Sequence, residues 1–220
     1  LAGPSREALR QRAQGRLDSL NAARRSVTVE GRATSLLLHL PAGEPPADGW
    51  PVVVAVHGAG GDERMFFGGY GAGVIRRLAD EHRVAVITPA APLPAAGLFA
   101  LVDALAGEHA LDAARIALLG HSMGAGIVAQ ASAAQPQRTR GVACIAGGCA
   151  AAGAGVPVFL AAGALDPLFR VAVLEQQVES LRASGRSVDY RRLETEGHTL
   201  VVGAALPEAM AWLAERLRGL

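Results

Sequence analysis

Hydrophobic and polar positions change their spacing repeatedly along this chain. Val52–Val56 is a continuous β-branched run of the kind that is buried on both faces of a sheet. Segment 170–184 instead repeats its apolar residues every three or four positions, as one face of a helix does. Runs of the two kinds alternate over most of the sequence, which indicates strands and helices in turn.

The predicted elements begin with an antiparallel pair of strands, Ser26–Glu30 and Ala33–Leu40, followed by a loop rich in Pro and Gly over 41–50. The remaining predicted strands are Val52–Val56, Val84–Thr88, Ile116–Leu119, Val142–Ile145, Val156–Ala161 and Val188–Leu193. The predicted helices cover 70–82, 98–109, 123–134, 170–184 and 206–218, the last with Pro207 near its first turn. This order predicts an α/β protein with a mostly parallel central sheet and helices on both faces. Its active site is expected beyond the carboxyl ends of the strands.

The amino-acid composition supports one globular domain with a distinct N-terminal segment. The chain has 220 residues, of which 50% are hydrophobic and only 4% aromatic, so its core is built mainly from Ala, Val, Leu and Ile. Residues 1–25 carry six arginines against two acidic residues, and Leu9, Leu17 and Leu20 stand there at helical spacing. We interpret 1–25 as a basic, solvated helical extension and 26–220 as the main domain. The alternative for 1–25 is a helix that lies on a membrane surface.

The charge of the chain narrows the range of partners. Its formal net charge at pH 7 is +1, which gives no reason to expect nucleic acid as a partner. No apolar run approaches the roughly 20 residues that a membrane span needs, so none is predicted. A small molecule is the expected partner, and the oligomeric state is left open. The chain begins at Leu1 rather than Met, which indicates that a preceding segment was removed or left out. The location is therefore left open: the cytoplasm is slightly favoured, and secretion is the alternative if an N-terminal signal has been removed.

Two cysteines, Cys144 and Cys149, stand five positions apart at the end of a predicted strand. Their spacing matches neither a C-x-x-C pair nor a metal site. Unpaired cysteines are often buried as small hydrophobic residues, and this is the interpretation that we favour. The alternative is a local disulfide, which needs an oxidising compartment and a suitable turn.

A G-H-S-M-G segment at 120–124 stands directly between the predicted strand Ile116–Leu119 and a predicted helix. In this context, glycines on both sides let the chain turn sharply and leave the side-chain oxygen of Ser122 exposed. The N-terminal amides of the helix then point at the site and favour a developing oxyanion. The alternative is a serine that only caps an ordinary helix. A serine hydroxyl is a weak nucleophile without a base, so the hypothesis requires a histidine.

A second glycine-rich segment, H-G-A-G-G at 57–61, directly follows Val52–Val56. Its glycines let the backbone approach the serine, and by position the amides of Ala59 and Met123 form the predicted oxyanion hole. A phosphate-binding loop is the alternative, but the chain has no G-x-G-x-x-G that opens a helix and no G-K-[ST]. We interpret His57 as a hydrogen-bonding residue that shapes this loop.

An acid and a base are predicted at the ends of two later strands. Asp166 follows Val156–Ala161, where its carboxylate can accept the Nδ1 proton of a histidine; a simple turn cap is the alternative. His198 follows Val188–Leu193 and has a glycine before it, so its loop can carry the imidazole to the serine. Asp189 is the competing acid, but it lies within a predicted strand rather than beyond its end.

The chain order Ser122, Asp166, His198, with each residue after a strand, resembles the α/β-hydrolase superfamily over about 50–220. Segments 57–62 and 115–124 look like those of compact esterases, of the polyhydroxybutyrate depolymerase/feruloyl esterase type and the dienelactone hydrolase/carboxylesterase type. The resemblance implies the α/β-hydrolase fold and hydrolysis of carboxylic esters through an acyl-serine intermediate, with no cofactor and no metal. Dienelactone hydrolases carry a cysteine nucleophile where Ser122 stands, so that particular activity is not expected.

The expected substrate pocket is open. The short stretch of Gly and Ala between Ile145 and Val156 leaves no large lid. Met65, Phe66 and Phe67 are predicted to line the pocket with His121 beside them, although such an apolar cluster is more often part of the core. A thioesterase, peptidase or acyltransferase with the same triad is the alternative function, and a non-catalytic binding protein on the same fold is a further one.

Overall fold

The computed structural model describes residues 5–91 and 93–219, without the side chains at 16, 17, 21 and 22. Its strands are β1 Arg24–Val29, β2 Arg32–His39, β3 Trp50–Val56, β4 Ala85–Pro89, β5 Leu111–His121, β6 Thr139–Ile145, β7 Val158–Gly163 and β8 Val188–Leu193. Its α-helices are α1 Arg6–Ala23, α2 Val74–His82, α3 Ala95–Ala106, α4 Met123–Ala134, α5 Val171–Ala183 and α6 Leu200–Arg218. Between β3 and α2 lie a π-helical turn, Met65–Gly69, and a 3₁₀ turn, Tyr70–Gly73.

The strands form one eight-stranded sheet in the order β1-β2-β4-β3-β5-β6-β7-β8. β2 pairs antiparallel with both β1 and β4, and the other pairings are parallel. The predicted opening pair and the predicted mostly parallel sheet are therefore confirmed. β3 and β5 are neighbours in the middle of the sheet, with Val56 opposite Gly120, so the loops that follow them meet at one edge.

Two apolar layers cover the two faces of the sheet, and β3 contributes to both. Val52, Val54 and Val56 belong to one layer, together with residues of α3, α4 and α5. Val53 and Ala55 belong to the other, together with residues of α2 and α6. A strand between two such layers needs an apolar residue at every position, which explains the continuous run in the sequence. The helices lie on both faces, as predicted.

The last helix differs from its prediction. α6 begins at Leu200 rather than near 206, and Pro207 lies inside it instead of in its first turn. A proline inside a helix removes one hydrogen bond and costs about 3 kcal/mol. Val202, Leu206 and Met210, on both sides of the proline, are fully buried. Burial contributes roughly 1.5–3 kcal/mol for each such side chain, which outweighs the cost of the proline.

Three further boundaries also differ from the predictions. α2 begins at Val74 rather than at 70, because Gly71 and Ala72 have left-handed backbone angles, with φ of 53° and 56°, that interrupt a helix. α3 begins and ends three residues before the predicted segment 98–109. β5 extends over Leu111–His121, well beyond the apolar run that predicted it.

The N-terminal segment contains the helix α1, and Arg24 and Arg25 already belong to β1. Leu20 packs against the apolar layer of α2 and α6. Leu9 is 51% exposed, so the predicted stripe of leucines is not buried along its whole length; the side chain of Leu17 lies outside the described part. In the part of the chain that the structure describes, no helix is long and apolar enough to cross a membrane.

Cys144 and Cys149 are joined by a disulfide, so the favoured interpretation as unpaired cysteines is wrong. Both residues are fully buried, and their Cα atoms are 6.0 Å apart, within the usual range for disulfides. The chain turns directly after β6, where Ala146 has a φ of 48°, and this turn brings the two sulfurs together. The connection over 146–157 contains neither helix nor strand, so no lid is inserted there, as expected.

Candidate active site

Ser122 lies in a sharp turn between β5, which ends at His121, and α4, which begins at Met123. Its backbone has φ 55° and ψ −118°, a combination that is costly for any residue with a side chain. Its amide donates to the carbonyl oxygen of Ile145 at the end of β6, at 3.0 Å, which holds the turn against the sheet. The serine therefore stands in the strand–turn–helix context that the sequence predicts.

The glycines on both sides of Ser122 allow close packing rather than unusual backbone angles. A Cβ at Gly124 would overlap the carbonyl oxygen of Val56 at the end of β3, and a Cβ at Gly120 would overlap the backbone of Gly124. A Cβ at Gly58, in the loop after β3, would lie 3.2 Å from the Cβ of Ser122. The loop after β3 thus lies directly against the serine turn because these positions have no side chain.

Three side chains that are far apart in the sequence form one hydrogen-bonded chain. Nε2 of His198 lies 3.0 Å from Oγ of Ser122, and Nδ1 of His198 lies 2.8 Å from Oδ2 of Asp166. The side chain of Asp166 is fully buried and that of His198 is 14% exposed. Since a carboxylate only accepts, Nδ1 carries the proton, and Nε2 is left to accept from the Ser122 hydroxyl. This order of groups can remove the proton from a serine as it attacks.

Asp166 also caps the turn that follows β7. Its Oδ1 accepts hydrogen bonds from the amides of Leu168 at 2.8 Å and Phe169 at 2.9 Å. The turn cap and the contact with His198 were alternatives at the sequence level, and one carboxylate makes both. The competing acid Asp189 lies on β8, where it accepts from Nε1 of Trp212 on α6 at 2.6 Å.

The two predicted oxyanion donors lie on the segments next to Ser122. Met123 is the first residue of α4, so its amide has no acceptor within the helix. Ala59 follows Gly58 in the loop that packs against the serine turn. The buried imidazole of His57 lies with Nδ1 2.8 Å from the carbonyl oxygen of Gly58 and Nε2 3.2 Å from that of Ala90. His57 thereby ties this loop to the end of β4, in the shaping role predicted for it.

Two aromatic residues near His198 were not predicted from the sequence. Phe169 stacks on the imidazole of His198, with ring centroids 5.8 Å apart and planes 8° apart. The hydroxyl of Tyr70 lies 2.7 Å from Nδ1 of His121, and Nε2 of His121 lies 3.0 Å from the carbonyl oxygen of His198. Both ring nitrogens of His121 therefore contact protein groups rather than the expected substrate pocket.

Two clefts lie beside the site. The larger, of about 580 Å³, separates the turns at 65–71 from the loop of His198, and Met65, Tyr70, Glu196, Thr199 and Leu200 are among its lining residues. The smaller, of about 430 Å³, shares Met65 and extends to Leu20 and Phe67. Among the residues expected to line a pocket, Met65 lines both clefts and Phe67 lines the smaller one. Phe66 and Phe67 are each 1% exposed and belong to the apolar layer of α2 and α6. Within residues 5–91 and 93–219, no group of three or more His, Cys, Asp or Glu side chains could hold a metal ion.

Comparisons with known proteins agree with this architecture. No curated protein sequence matches the chain. The structure is similar to that of an S-formylglutathione hydrolase from Staphylococcus aureus, with a TM-score of 0.73 and 14% identity over 87% of this chain and 98% of that chain. It is also similar to a thermophilic carboxylesterase cloned from a metagenomic library, with a TM-score of 0.70 and 17% identity over 98% of this chain and 99% of that chain. At these identities the likeness shows a shared fold. The family model of the alpha/beta hydrolase family matches residues 53–219, which is most of the sequence, so this chain belongs to that family.

Proposed function

We propose that the chain is a serine hydrolase that cleaves carboxylic esters, with Ser122 as nucleophile and His198 as general base. Asp166 is the acid that orients the base. The observation that carries the proposal is the 3.0 Å separation of Oγ of Ser122 and Nε2 of His198, with Asp166 bonded to the opposite ring nitrogen. A binding protein on this fold would have no use for a hydroxyl, an imidazole and a buried carboxylate in this order.

In the proposed reaction, Oγ of Ser122 attacks the carbonyl carbon of the ester while Nε2 of His198 accepts its proton. Asp166 holds the Nδ1 proton and stabilises the imidazolium that forms. The amides of Ala59 and Met123 donate to the oxyanion, and one such donor is typically worth about 3 kcal/mol. When the tetrahedral intermediate collapses, Nε2 gives the proton to the leaving oxygen. An alcohol departs, and Ser122 keeps the acyl group.

Water completes the cycle by the same steps. Nε2 of His198 takes a proton from a water molecule as its oxygen attacks the acyl-serine carbonyl, and the same two amides hold the second oxyanion. Collapse breaks the bond to Oγ of Ser122, which regains its proton from His198, and a carboxylic acid leaves. One ester and one water give one acid and one alcohol, so the reaction as written consumes no cofactor.

The surroundings of the site favour an ester with an apolar group. Large hydrophobic side chains next to the three proposed catalytic residues are exposed; these are Met123 (39%), Leu165 (65%), Leu168 (70%) and Leu200 (74%). Of these four side chains, Leu200 also lines the cleft of about 580 Å³. The cleft of about 580 Å³ beside the His198 loop has the size of a small-molecule site. We therefore assign the acyl or alcohol part of the substrate to this cleft, between the turns at 65–71 and the His198 loop.

We also propose that the catalytic unit is the predicted main domain, 26–220, extended at its N-terminal end by Arg24 and Arg25. These two arginines open β1 and so belong to the sheet. α1 contributes Leu20 to the apolar layer beside α2 and α6, and we regard it as an appended basic helix.

The proposal is tested by labelling with a fluorophosphonate probe, which modifies an activated serine, and by measuring the intact mass. We expect a single adduct on the folded wild type and none on Ser122→Ala. In His198→Ala the labelling rate should fall at least about 100-fold, since a positioned general base contributes 10²–10⁴-fold. Ser180→Ala is the matched control, because Ser180 is exposed on α5 and its removal should leave labelling unchanged. A folded wild type that takes up no probe would overturn the proposal.

Substrate class is tested on the same preparations. Short p-nitrophenyl esters, the corresponding thioesters and a chromogenic peptide are compared at equal concentration, with and without an alcohol as acyl acceptor. We expect the ester to be cleaved with the highest kcat/KM and Ser122→Ala to be inactive on every substrate. Faster turnover of the thioester, the peptide or the transfer reaction would assign the same site to one of those alternatives.

A further inference from the structure

A second hydrogen-bonded chain lies behind the proposed catalytic one. The Tyr70 hydroxyl is 2.7 Å from Nδ1 of His121, and Nε2 of His121 is 3.0 Å from the backbone carbonyl oxygen of His198. Tyr70 is 3% exposed and His121 is 4% exposed. The rings of Tyr70 and His121 pack edge to face with centroids 5.0 Å apart, and the rings of His121 and His198 are 4.9 Å apart. The proposed reaction uses neither Tyr70 nor the side chain of His121.

The chemistry of these groups determines the direction of each bond. A carbonyl oxygen only accepts, so Nε2 of His121 carries a proton and donates to His198. Burial, the largest influence, lowers the pKa of His121 to about 4, which keeps this imidazole neutral at pH 7. A neutral imidazole has a single N–H, so its Nδ1 is an acceptor and the Tyr70 hydroxyl donates to it. Burial also raises the pKa of Tyr70, which keeps the phenol protonated.

We propose that Tyr70 and His121 are positioning residues that hold the loop of His198 at the correct distance from Ser122. The inference rests on the proposed function of Ser122 and His198. His198 lies outside regular structure, between the end of β8 at Leu193 and the start of α6 at Leu200. Backbone amides of Leu165 and Val201 hold the carbonyl oxygens of Glu196 and Gly197 just before it, at 3.0 and 3.2 Å, and the bond from His121 holds His198 itself. His121 directly precedes Ser122, so its contact with His198 fixes the position of the base relative to the turn that carries the nucleophile. Tyr70 fixes the tautomer that makes this contact.

The neutral state of His121 also matters for the charge on His198. The titratable groups that influence the His121 ring are His198, Asp166 and His57, besides the phenol of Tyr70 that bonds to it. A positive charge on His121 would repel the imidazolium that the mechanism places on His198. The Tyr70 hydroxyl favours the neutral ring while it donates to Nδ1, since a proton on Nδ1 would end this bond and require the hydroxyl to turn and accept instead.

Tyr70→Phe is the most direct test, because it removes the donor and keeps the ring. We expect kcat for p-nitrophenyl acetate to fall about tenfold, the equivalent of one hydrogen bond, while KM changes less than twofold. As the pH is lowered, kcat/KM should begin to fall at a higher pH in the variant than in wild type, because His121 then takes a proton beside His198 more readily. Tyr190→Phe is the matched control: its phenol bonds to Glu175 at 3.3 Å, and its removal should leave kcat unchanged.

His121→Gln and His121→Leu form the second arm. A glutamine amide can donate to the His198 carbonyl oxygen and cannot become charged in this pH range, whereas leucine supplies no donor. We expect the glutamine variant to retain several-fold more kcat than the leucine variant. Thermal unfolding of each variant shows whether it is folded at the assay temperature. If a His121 variant is unfolded there, the result for Tyr70→Phe decides whether the two residues position His198.

Hydrogen exchange over residues 195–201 provides a readout that needs no activity. We expect faster exchange of this segment in Tyr70→Phe than in wild type, and no change in Tyr190→Phe. A kcat within twofold of wild type together with unchanged exchange would overturn the inference. Failure of the proposed function is distinguishable, because it leaves wild type without a fluorophosphonate adduct while the exchange measurement still decides the role of Tyr70.

Discussion

Asp166 divides its carboxylate between the base and its own loop: Oδ2 lies 2.8 Å from Nδ1 of His198, and Oδ1 accepts the amides of Leu168 and Phe169. The side chain is fully buried, so each oxygen depends on its protein partners. Phe169 in turn stacks on the ring of His198. One side chain therefore shapes the loop, and the loop supplies the aromatic face against which the base packs.

Replacing Asp166 should separate its two roles. In Asp166→Asn the amide oxygen can still cap the turn, but the ring of His198 loses its acceptor and its correct tautomer. We expect kcat to fall by about 10³–10⁴ with little change in Tm. In Asp166→Ala the same loss of kcat should come with a further destabilisation of about 1–2 kcal/mol, because two buried amides lose their acceptor. Asp189→Asn is the control and should keep wild-type kcat, since Asp189 bonds to Trp212 instead.

Function and stability oppose one another at the backbone of Ser122, unlike at Asp166, which serves both. Its φ of 55° and ψ of −118° suit glycine better than serine. We expect Ser122→Gly to abolish hydrolysis and to raise the free energy of unfolding by about 1 kcal/mol, which is about 2–4 °C in Tm for a chain of this size. Ser122→Ala keeps a Cβ and should show no such gain. Equal Tm values for the two variants in a thermal melt would mean that the turn stores no strain.

Two glycines of α4 should respond in opposite ways to the same change. A Cβ at Gly124 would overlap the carbonyl oxygen of Val56, whereas a Cβ at Gly126 has nothing within 4 Å. We expect Gly124→Ala to destabilise the protein by about 3 kcal/mol and to lose fluorophosphonate labelling. Gly126→Ala should stabilise it by about 1 kcal/mol through helix propensity alone. Denaturant titration of both variants gives the two values, and a neutral Gly124→Ala would contradict the close packing of β3 against the serine turn.

Acid should weaken the fold through His121. Burial lowers its pKa from 6.5 to about 4, so between these values the unfolded chain binds a proton that the folded chain does not. Titration of His121 leaves the free energy of unfolding unchanged above about pH 6.5. As the pH falls from there toward 4, the free energy of unfolding declines by about 3 kcal/mol in total. Urea titrations from pH 4 to 7 should show this slope in wild type and a reduced slope in His121→Gln. His82→Gln, at a half-buried position, should reduce the slope less.

Removing the disulfide should cost stability without altering the proposed chemistry. Closure of so short a loop contributes about 2 kcal/mol by chain entropy, so we expect Cys144→Ala/Cys149→Ala to unfold at a lower temperature. Fluorophosphonate labelling should persist at a temperature where the variant is folded. Intact mass without reductant should show wild type two hydrogens lighter than its thiol form. Thiols that react with an alkylating agent in unreduced, unfolded wild type would contradict the bond.

Local sequence patterns predicted the parts of the site that follow directly from the ends of strands. Ser122, Asp166 and His198 each come just after a strand, and a parallel sheet brings such positions to one edge. Tyr70 left no comparable pattern, because its partner His121 is 51 positions away and the turn that carries it depends on a left-handed Ala72. Alanine rarely adopts a left-handed conformation, so its backbone angles here depend on contacts in the folded protein. The conformational preferences of single residues do not predict such angles.

The disulfide and the last helix were mispredicted for related reasons. The bond between Cys144 and Cys149 depends on the turn at Ala146, another non-glycine residue with positive φ. Pro207 is tolerated inside α6 because the apolar residues around it are buried against the sheet. The disulfide joins residues only five positions apart, but its turn is held by a bond from the amide of Ala146 to the carbonyl oxygen of Ala161 on β7, at 2.9 Å. In both cases a contact with a distant part of the chain overrides a local preference, and local sequence patterns do not contain that contact.

The sheet order has a consequence for how the molecule behaves in concentrated solution. β1 and β8 are the two outer strands, and an outer strand has unpaired backbone groups that a second molecule can pair with. Each of them contains two adjacent arginines, Arg24 and Arg25 in one and Arg191 and Arg192 in the other. Adjacent residues of a strand point to opposite faces, so both faces of each outer strand carry a long charged side chain. Three of these arginines are held by carboxylates: Arg24 by Glu63, Arg191 by Glu208, and Arg192 by Glu194. Pairing of a second molecule with either edge would have to displace or bury these ion pairs, which protects an otherwise very apolar sheet from polymerising.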